Sequence, residues 1–196
     1  MSGRFSATTA RSSDSLRDHF LLAMPCLSEG IFSHSITYIC EHGESGAMGI
    51  VVNQTLDISL MEIFEHLEIE TRRDFSAEPV MMGGPVQIDH GFVLHRKCSK
   101  TWEASLKVSP EVTLTTSRDI LRAIASDEGP DDRLVALGYA GWSAGQLEQE
   151  VAENSWLTLP GDSDIIFSTP ADQRQSAAAA ILGIDINLIS NQAGHA

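Results

Sequence analysis

Apolar and polar positions alternate from Ser35 to His42, with Ile36, Tyr38 and Cys40 on one side of an extended chain and Thr37, Ile39 and Glu41 on the other. The pattern predicts a strand. Gly43 to Gly46 reads as a hairpin turn, and Ala47 to Val52 as the antiparallel return strand. Phe20 to Met24 predicts an earlier strand stopped by Pro25, followed by a turn at Ser28-Glu29-Gly30. Ser59 and Glu62 have capping-box spacing, and Leu60, Ile63, Phe64 and Leu67 follow at helical intervals. Val80 to Met82 predicts a short strand ending at Gly83-Gly84-Pro85, Asp89-His90-Gly91 a turn, and Phe92 to His95 another strand. Strands are also expected at Ala104 to Val108 and Val112 to Thr115. Thr116 or Ser117 then caps a helix that turns Ile120, Leu121 and Ile124 inward.

The stretch Leu134 to Glu148 carries the densest pattern. Leu134 to Leu137 reads as a strand, Gly138, Gly141 and Gly145 as a glycine-rich corner, and Ser143 with Gln146 as the capping box of a helix. Beyond it, Trp156 to Leu159 and Ile165 to Phe167 predict short strands. Thr169-Pro170 places an N-cap and a first-turn proline before a last helix that stops at Gly183. Strands dominate early, and helices alternate with strands later, which predicts an α+β fold.

Composition narrows the class. The 196 residues suit one domain with a substantial core. Residues 1–15, rich in Ser, Thr and Arg and without an apolar segment, read as a disordered tail rather than a signal peptide, leaving 16–196 as the domain. A net charge of −14, from 27 acidic against 13 basic side chains, repels phosphate backbones and weighs against direct nucleic-acid binding. The nearest basic clusters, Arg72-Arg73 and the segment from Arg96 to Lys107, are short. Three widely spaced cysteines without a CxxC pair point to a reducing compartment. No apolar run approaches the roughly 18 residues of a membrane span.

Four stretches carry candidate chemistry. Gly141-Trp142-Ser143-Ala144-Gly145 matches GxSxG between a strand and a helix, the context of a nucleophile elbow. The only histidine after Ser143 is His195, next to the chain end, and Ser143 already has a capping role. Neither GxxxxGK[ST] nor GxGxxG occurs. Cys40 and His42 lie two apart on a strand, with His34 or His95 as a further ligand, but no second pair has zinc-like spacing. Gly83-Gly84-Pro85 and Thr115 to Asp119 offer backbone donors and hydroxyls, as turns and caps also do.

Several motifs together resemble a bacterial family, AlgH/YqgE. They are Leu22-Ala23-Met24-Pro25, Tyr38-Ile39-Cys40-Glu41-His42, Gly46 to Asn53, Gly83-Gly84-Pro85-Val86 and Gly91-Phe92-Val93-Leu94-His95. Leu114 to Leu121, Leu137 to Trp142, Gly145-Gln146-Leu147-Glu148, Asn154, Trp156-Leu157 and the closing Ala193-Gly194-His195-Ala196 continue in the same order. The chain departs from the family pattern at Glu29-Gly30, Gln54-Thr55 and Gln175. The resemblance implies a single compact α+β domain with a bifurcated, mostly antiparallel sheet, part of it barrel-like, flanked by helices. It also implies a cytosolic protein of a kind often labelled a transcriptional regulator, with no agreed enzymatic activity. In that family the position of Ser143 is not reserved for serine.

The combined expectation is a non-catalytic cytoplasmic protein that needs no metal or cofactor, leaves the membrane alone, and acts through a small polar ligand or a protein partner. In the expected cleft, Gly83, Gly84 and Gly141 supply backbone donors and Ser117 a hydroxyl. Trp142 stacks there, and His42, Asn53, Asp119 and Gln146 orient the ligand. The alternative is a hydrolase or transferase using Ser143 or Cys40.

Overall fold

The computed structural model describes residues 15–27 and 30–185. The expected tail at 1–15 lies outside them except for Ser15, as do the first two residues of the turn at Ser28-Glu29-Gly30, the closing motif and His195. In chain order the elements are β1 (His19–Ala23), β2 (Ile36–Gly43), β3 (Gly46–Val51), β4 (Thr55–Ser59), α1 (Leu60–His66), β5 (Pro79–Met82) and β6 (Val86–Arg96). They continue with β7 (Ser105–Lys107), β8 (Val112–Thr115), α2 (Arg118–Ala125), β9 (Arg133–Ser143), α3 (Gln146–Ala152), β10 (Trp156–Pro160), α4 (Ser163–Phe167) and α5 (Arg174–Ile181).

One strand holds the architecture together. The main sheet runs β10-β1-β2-β3-β9-β6-β8-β7, and β4 and β5 form a branch that joins at β9. Along one edge, β9 pairs with β5 through Ala136 and Leu137, then with β3 from Ala140 to Ser143. Along the other edge it pairs with β6. The result is a bifurcated sheet curled into a half-barrel, antiparallel everywhere except β5–β9, in a single α+β domain as expected.

Because β5 and β6 lie on opposite edges of β9, the link between them has to cross β9, and it does so within Gly83-Gly84-Pro85. There is no room for a side chain. A Cβ on Gly83 would sit 2.2 Å from the Gly138 carbonyl oxygen, and one on Gly84 2.1 Å from the Tyr139 carbonyl carbon. A Cβ on Gly138 would sit 2.3 Å from the Gly84 carbonyl oxygen, and Gly84 and Gly138 also hold φ of +153° and +72°. The crossing is pinned by the Gly83 N–H on the Leu137 carbonyl (2.8 Å) and the Val51 N–H on the Gly83 carbonyl (2.9 Å).

The core fills both sides of the sheet. On β2, Ile36, Tyr38 and Cys40 join Phe20, Leu22 and Ile50, while Ile39 faces the other way toward Trp142 and Trp156. The expected alternation is therefore real, but both faces are buried until a bulge between Ile39 and Glu41 carries the strand to the surface. A third cluster lies under α1 and α2, where Leu60, Phe64, Ile120 and Ile124 pack on Val93 and Val135. The capping box at Ser59 and Glu62 is formed as expected.

Five local expectations are corrected. Leu134 to Gly141 is not a strand followed by a glycine corner, because β9 runs unbroken for 11 residues and its Gly138 serves the crossing. Ser143 ends that strand, and the helix cap is Gly145 in the left-handed conformation. Asp89-His90-Gly91 is not a turn between strands; it lies inside the 11-residue β6, where residues 87–90 bulge out opposite Gly138. Ile165 to Phe167 is helical, started by the Asp162 side chain accepting from the Asp164 N–H, since a short apolar run suits either structure. Thr169 does not cap a helix; its hydroxyl donates to the Asp164 carbonyl, and a 3-10 turn at Ala171–Gln173 precedes α5. The strand β4 has no counterpart in the sequence reading.

Replacing Gly84 with Ala is expected to cost at least about 3 kcal/mol in urea unfolding, because backbone atoms fill the space of the new methyl group. Gly43→Ala, whose Cβ meets nothing within 4 Å, is expected to stay within about 1 kcal/mol of the parent.

Candidate functional site

The residues expected to share one cleft are scattered: some line one of two separate depressions, Gly83 and Gly84 are buried, Asn53 and Asp119 are half-buried elsewhere, and Gln146 is exposed on α3. The first depression, about 730 Å³, opens where the β2–β3 hairpin meets the end of β9, with His42, Gly141 and Trp142 in its wall beside Tyr139, Met48 and Arg17. The second, about 600 Å³, lies between α1, α2 and the bulged part of β6, and Ser117 is on its rim. The two share no lining residue. Gly83 and Gly84 are spent on the crossing, and neither lines these depressions.

In the first depression the rings of His42 and Trp142 are already engaged. His42 Nδ1 accepts the Leu16 N–H at 2.8 Å, so the ring proton sits on Nε2 and is donated to Glu148 Oε1 at 2.9 Å. Trp142 is only 7 % exposed, and its indole N–H is bound to Glu150 Oε2 at 2.9 Å. The same oxygen accepts the indole N–H of Trp156 at 2.8 Å, and Glu150 Oε1 accepts Gln146 Nε2 at 2.9 Å. Phe32 packs against both indoles, with ring centroids 6.4 and 5.5 Å away. Trp142 is thus a pillar of the core rather than a platform for a ligand. The Gln146 side-chain oxygen accepts the Ser143 N–H, forming half of the expected capping box.

This geometry bears on the nucleophile readings. Ser143 is exposed, but both ring nitrogens of His42 are occupied, so among the described residues lining this depression no histidine is free to act as its base. Cys40 is fully buried on the bulge, with its thiol directed to the Tyr38 carbonyl. Burial pushes that thiol far above its usual range, which removes the reactive thiolate. The metal set is dispersed as well. His95 Nδ1–H donates to the Arg96 carbonyl and its Nε2 accepts from Thr115. Among the described residues no three His, Cys, Asp or Glu gather as metal ligands.

Asn53 bridges two strand ends, accepting the Ile36 N–H and donating to the His34 carbonyl, both at 2.9 Å. Ser117 does not cap α2 with its side chain; it accepts the Ala104 N–H at 3.0 Å and donates to Asp119. Asp119 in turn accepts the N–H groups of Glu103 and Ile120, each at 2.9 Å. Burial pulls the Asp119 carboxyl upward, yet the bonds from Ser117, Glu103 and Ile120 together hold it below its usual range.

The second depression is built differently. Leu67, Phe92, Leu121, Val135 and Leu137 give it an apolar floor, and His66, Thr116, Ser117 and Arg118 a polar rim. Arg118 has no carboxylate partner among the described residues. The floor residues read in sequence only as core positions. Their grouping depends on the β6 bulge, which no local pattern announces. Glu150 was also missed, though its place four residues after Gln146 puts both on one helix face.

Comparison with known proteins follows from these shared features. A family model described as AlgH-like matches residues 20–187. A UPF0301 protein of Thioalkalivibrio sulfidiphilus is 57 % identical over 185 residues, covering 94 % of this chain and 99 % of that protein. A UPF0301 protein of Saccharophagus degradans is 57 % identical over 182 residues, covering 93 % and 89 %. Among solved structures, the solution structure of the AlgH protein from Pseudomonas aeruginosa is similar with a TM-score of 0.78 and 43 % identity, over 96 % of this chain and all of that one. A crystal structure of a Corynebacterium diphtheriae protein shares the fold, with a TM-score of 0.70 at 16 % identity over 88 % of this chain and 90 % of that one.

Removing the Glu150 carboxylate tests the indole hub. Glu150→Ala leaves two largely buried indole N–H groups unpaired and is expected to cost about 2 kcal/mol, with a shift in tryptophan emission. Gln149→Ala, on the exposed side of α3, is expected to change neither.

Proposed function

The chain belongs to the AlgH-like family, and from that premise we propose that it is a cytosolic, non-catalytic binding protein whose ligand occupies the cleft between α1, α2 and β6. The observation that carries this reading is the pairing of an apolar floor with a short polar rim, the usual makeup of a small-molecule site. The ligand is small, with an apolar body and an acidic head. The body suits Phe92, Leu121 and Leu137, and the head suits the uncompensated Arg118 at the first turn of α2.

Any effect on transcription is indirect under this reading, through ligand occupancy or a protein partner. A net charge of −14 weighs against direct binding to a DNA backbone. Three free cysteines fit a reducing compartment, and no described helix is long and apolar enough to cross a membrane.

Gly91 provides a clean test. It lines the cleft, has no positive φ, and a Cβ there meets nothing within 4 Å. Gly91→Phe is therefore expected to fill the cleft without disturbing the fold. Octanoate, used as a probe, is expected to raise the melting temperature of the parent with concentration and leave that of Gly91→Phe unmoved. Equal responses in the two proteins, or no response in the parent to octanoate or to aromatic carboxylates, contradict the proposal.

A further inference from the structure

The chain contains three lysines, Lys97, Lys100 and Lys107, and all three line one pocket of about 220 Å³. In a protein with 27 acidic side chains this concentration is out of keeping with the rest of the surface. Among the described residues no aspartate or glutamate lines the pocket.

Strand register builds the site. His95 on β6 pairs with Thr113 on β8, which pairs with Lys107 on β7. Residues directly opposite one another share a face, and so do residues two apart along a strand, which adds Lys97 beyond His95 and Ser105 before Lys107. The segment from Cys98 to Trp102 folds over this face, and Trp102 meets the His95 ring edge-to-face at 4.9 Å. Burial lowers the basicity of His95, whose Nδ1–H is held by the Arg96 carbonyl, so the floor is neutral and firm while the rim is cationic.

The cations are largely uncompensated. Lys100 leans on Glu128, with Nζ 2.9 Å from its carbonyl and 3.4 Å from its carboxylate. Lys97 and Lys107 have no carboxylate partner among the described residues. Outside the pocket lining, the Arg17 guanidinium donates to the carbonyls of Lys107 and Val108, which brings a further cation to the backbone at that end. Thr101 and Thr113 bring hydroxyls to the same space.

We propose that this pocket binds a phosphate group, either as the free anion or on a small phosphomonoester. Lysines acting as separate point charges around hydroxyl donors suit a multiply charged oxyanion, whereas a lone carboxylate is better matched by a guanidinium fork. The site is independent of the apolar cleft under α1 and α2, with which it shares no lining residue.

The test is an amide-resolved NMR titration of the full chain at constant ionic strength with inorganic phosphate, phenyl phosphate and acetate. Saturable shifts are expected for both phosphates, confined to Lys97 to Trp102 and to Thr113, with Trp102 emission changing in parallel. Tighter binding of phenyl phosphate identifies a monoester site that uses Trp102, and equal binding a site for the free anion. K97Q/K107Q is expected to weaken binding at least about tenfold while leaving the melting temperature unchanged. No saturable shift, equal shifts with acetate, or unchanged affinity in K97Q/K107Q overturns the proposal.

Discussion

The contact between two backbones at Gly84 and Gly138 is the constraint on which the rest of this structure depends. The chain must pass from one edge of β9 to the other within three residues, and it can do so only where neither segment carries a Cβ. The crossing makes β9 common to both branches of the sheet, because β3 and β5 share one of its edges and β6 takes the other. It also sets the shape of β6. Opposite Gly138 the strand spends residues 87–90 on a bulge before pairing resumes at Gly91, and that bulge walls the apolar cleft. A demand for space in the backbone is thereby converted into a surface that can hold a ligand.

The polar residues near this frame mostly serve it. Glu150 holds two indoles and Gln146, His42 holds the N-terminal segment to α3, and Ser117 with Asp119 ties residues 103 and 104 to the start of α2. The bonds of Glu150 to the two indoles and of His42 to the Leu16 N–H are part-buried, where an unmet hydrogen bond costs more than an exposed one. Side chains that looked available for chemistry are therefore committed to architecture. Arg118, Lys97 and Lys107, which have no carboxylate partner among the described residues, lie where the local pattern showed little beyond a helix start and a short basic run.

How far the sequence could be read follows from the range of each interaction. The strand at Ile36 to His42, its hairpin and the Ser59 capping box are local, and they stand as expected. The motifs running from Leu22 to Trp156 carried the family and, with it, the bifurcated sheet. Gly138 and Gly141 misled because glycine in an apolar run signals a corner when only neighbours in sequence are considered. For Gly138 the neighbour that matters is Gly84, more than fifty residues earlier. Trp142 lies in the core as one reading expects, and the partners that hold it there, Glu150 and Trp156, meet it only in three dimensions. The apolar cleft could not be found locally, because its floor is drawn from β6, β9, α1 and α2.

Native-state hydrogen exchange at the crossing tests this account most directly. The Gly83 N–H, bound to the Leu137 carbonyl, and the Val51 N–H, bound to the Gly83 carbonyl, are predicted to exchange only when the whole domain unfolds, with the same denaturant dependence as the central amides of β2. Exchange of those two amides through a local opening, while β2 and β9 stay protected, would contradict the claim that the crossing holds the fold together.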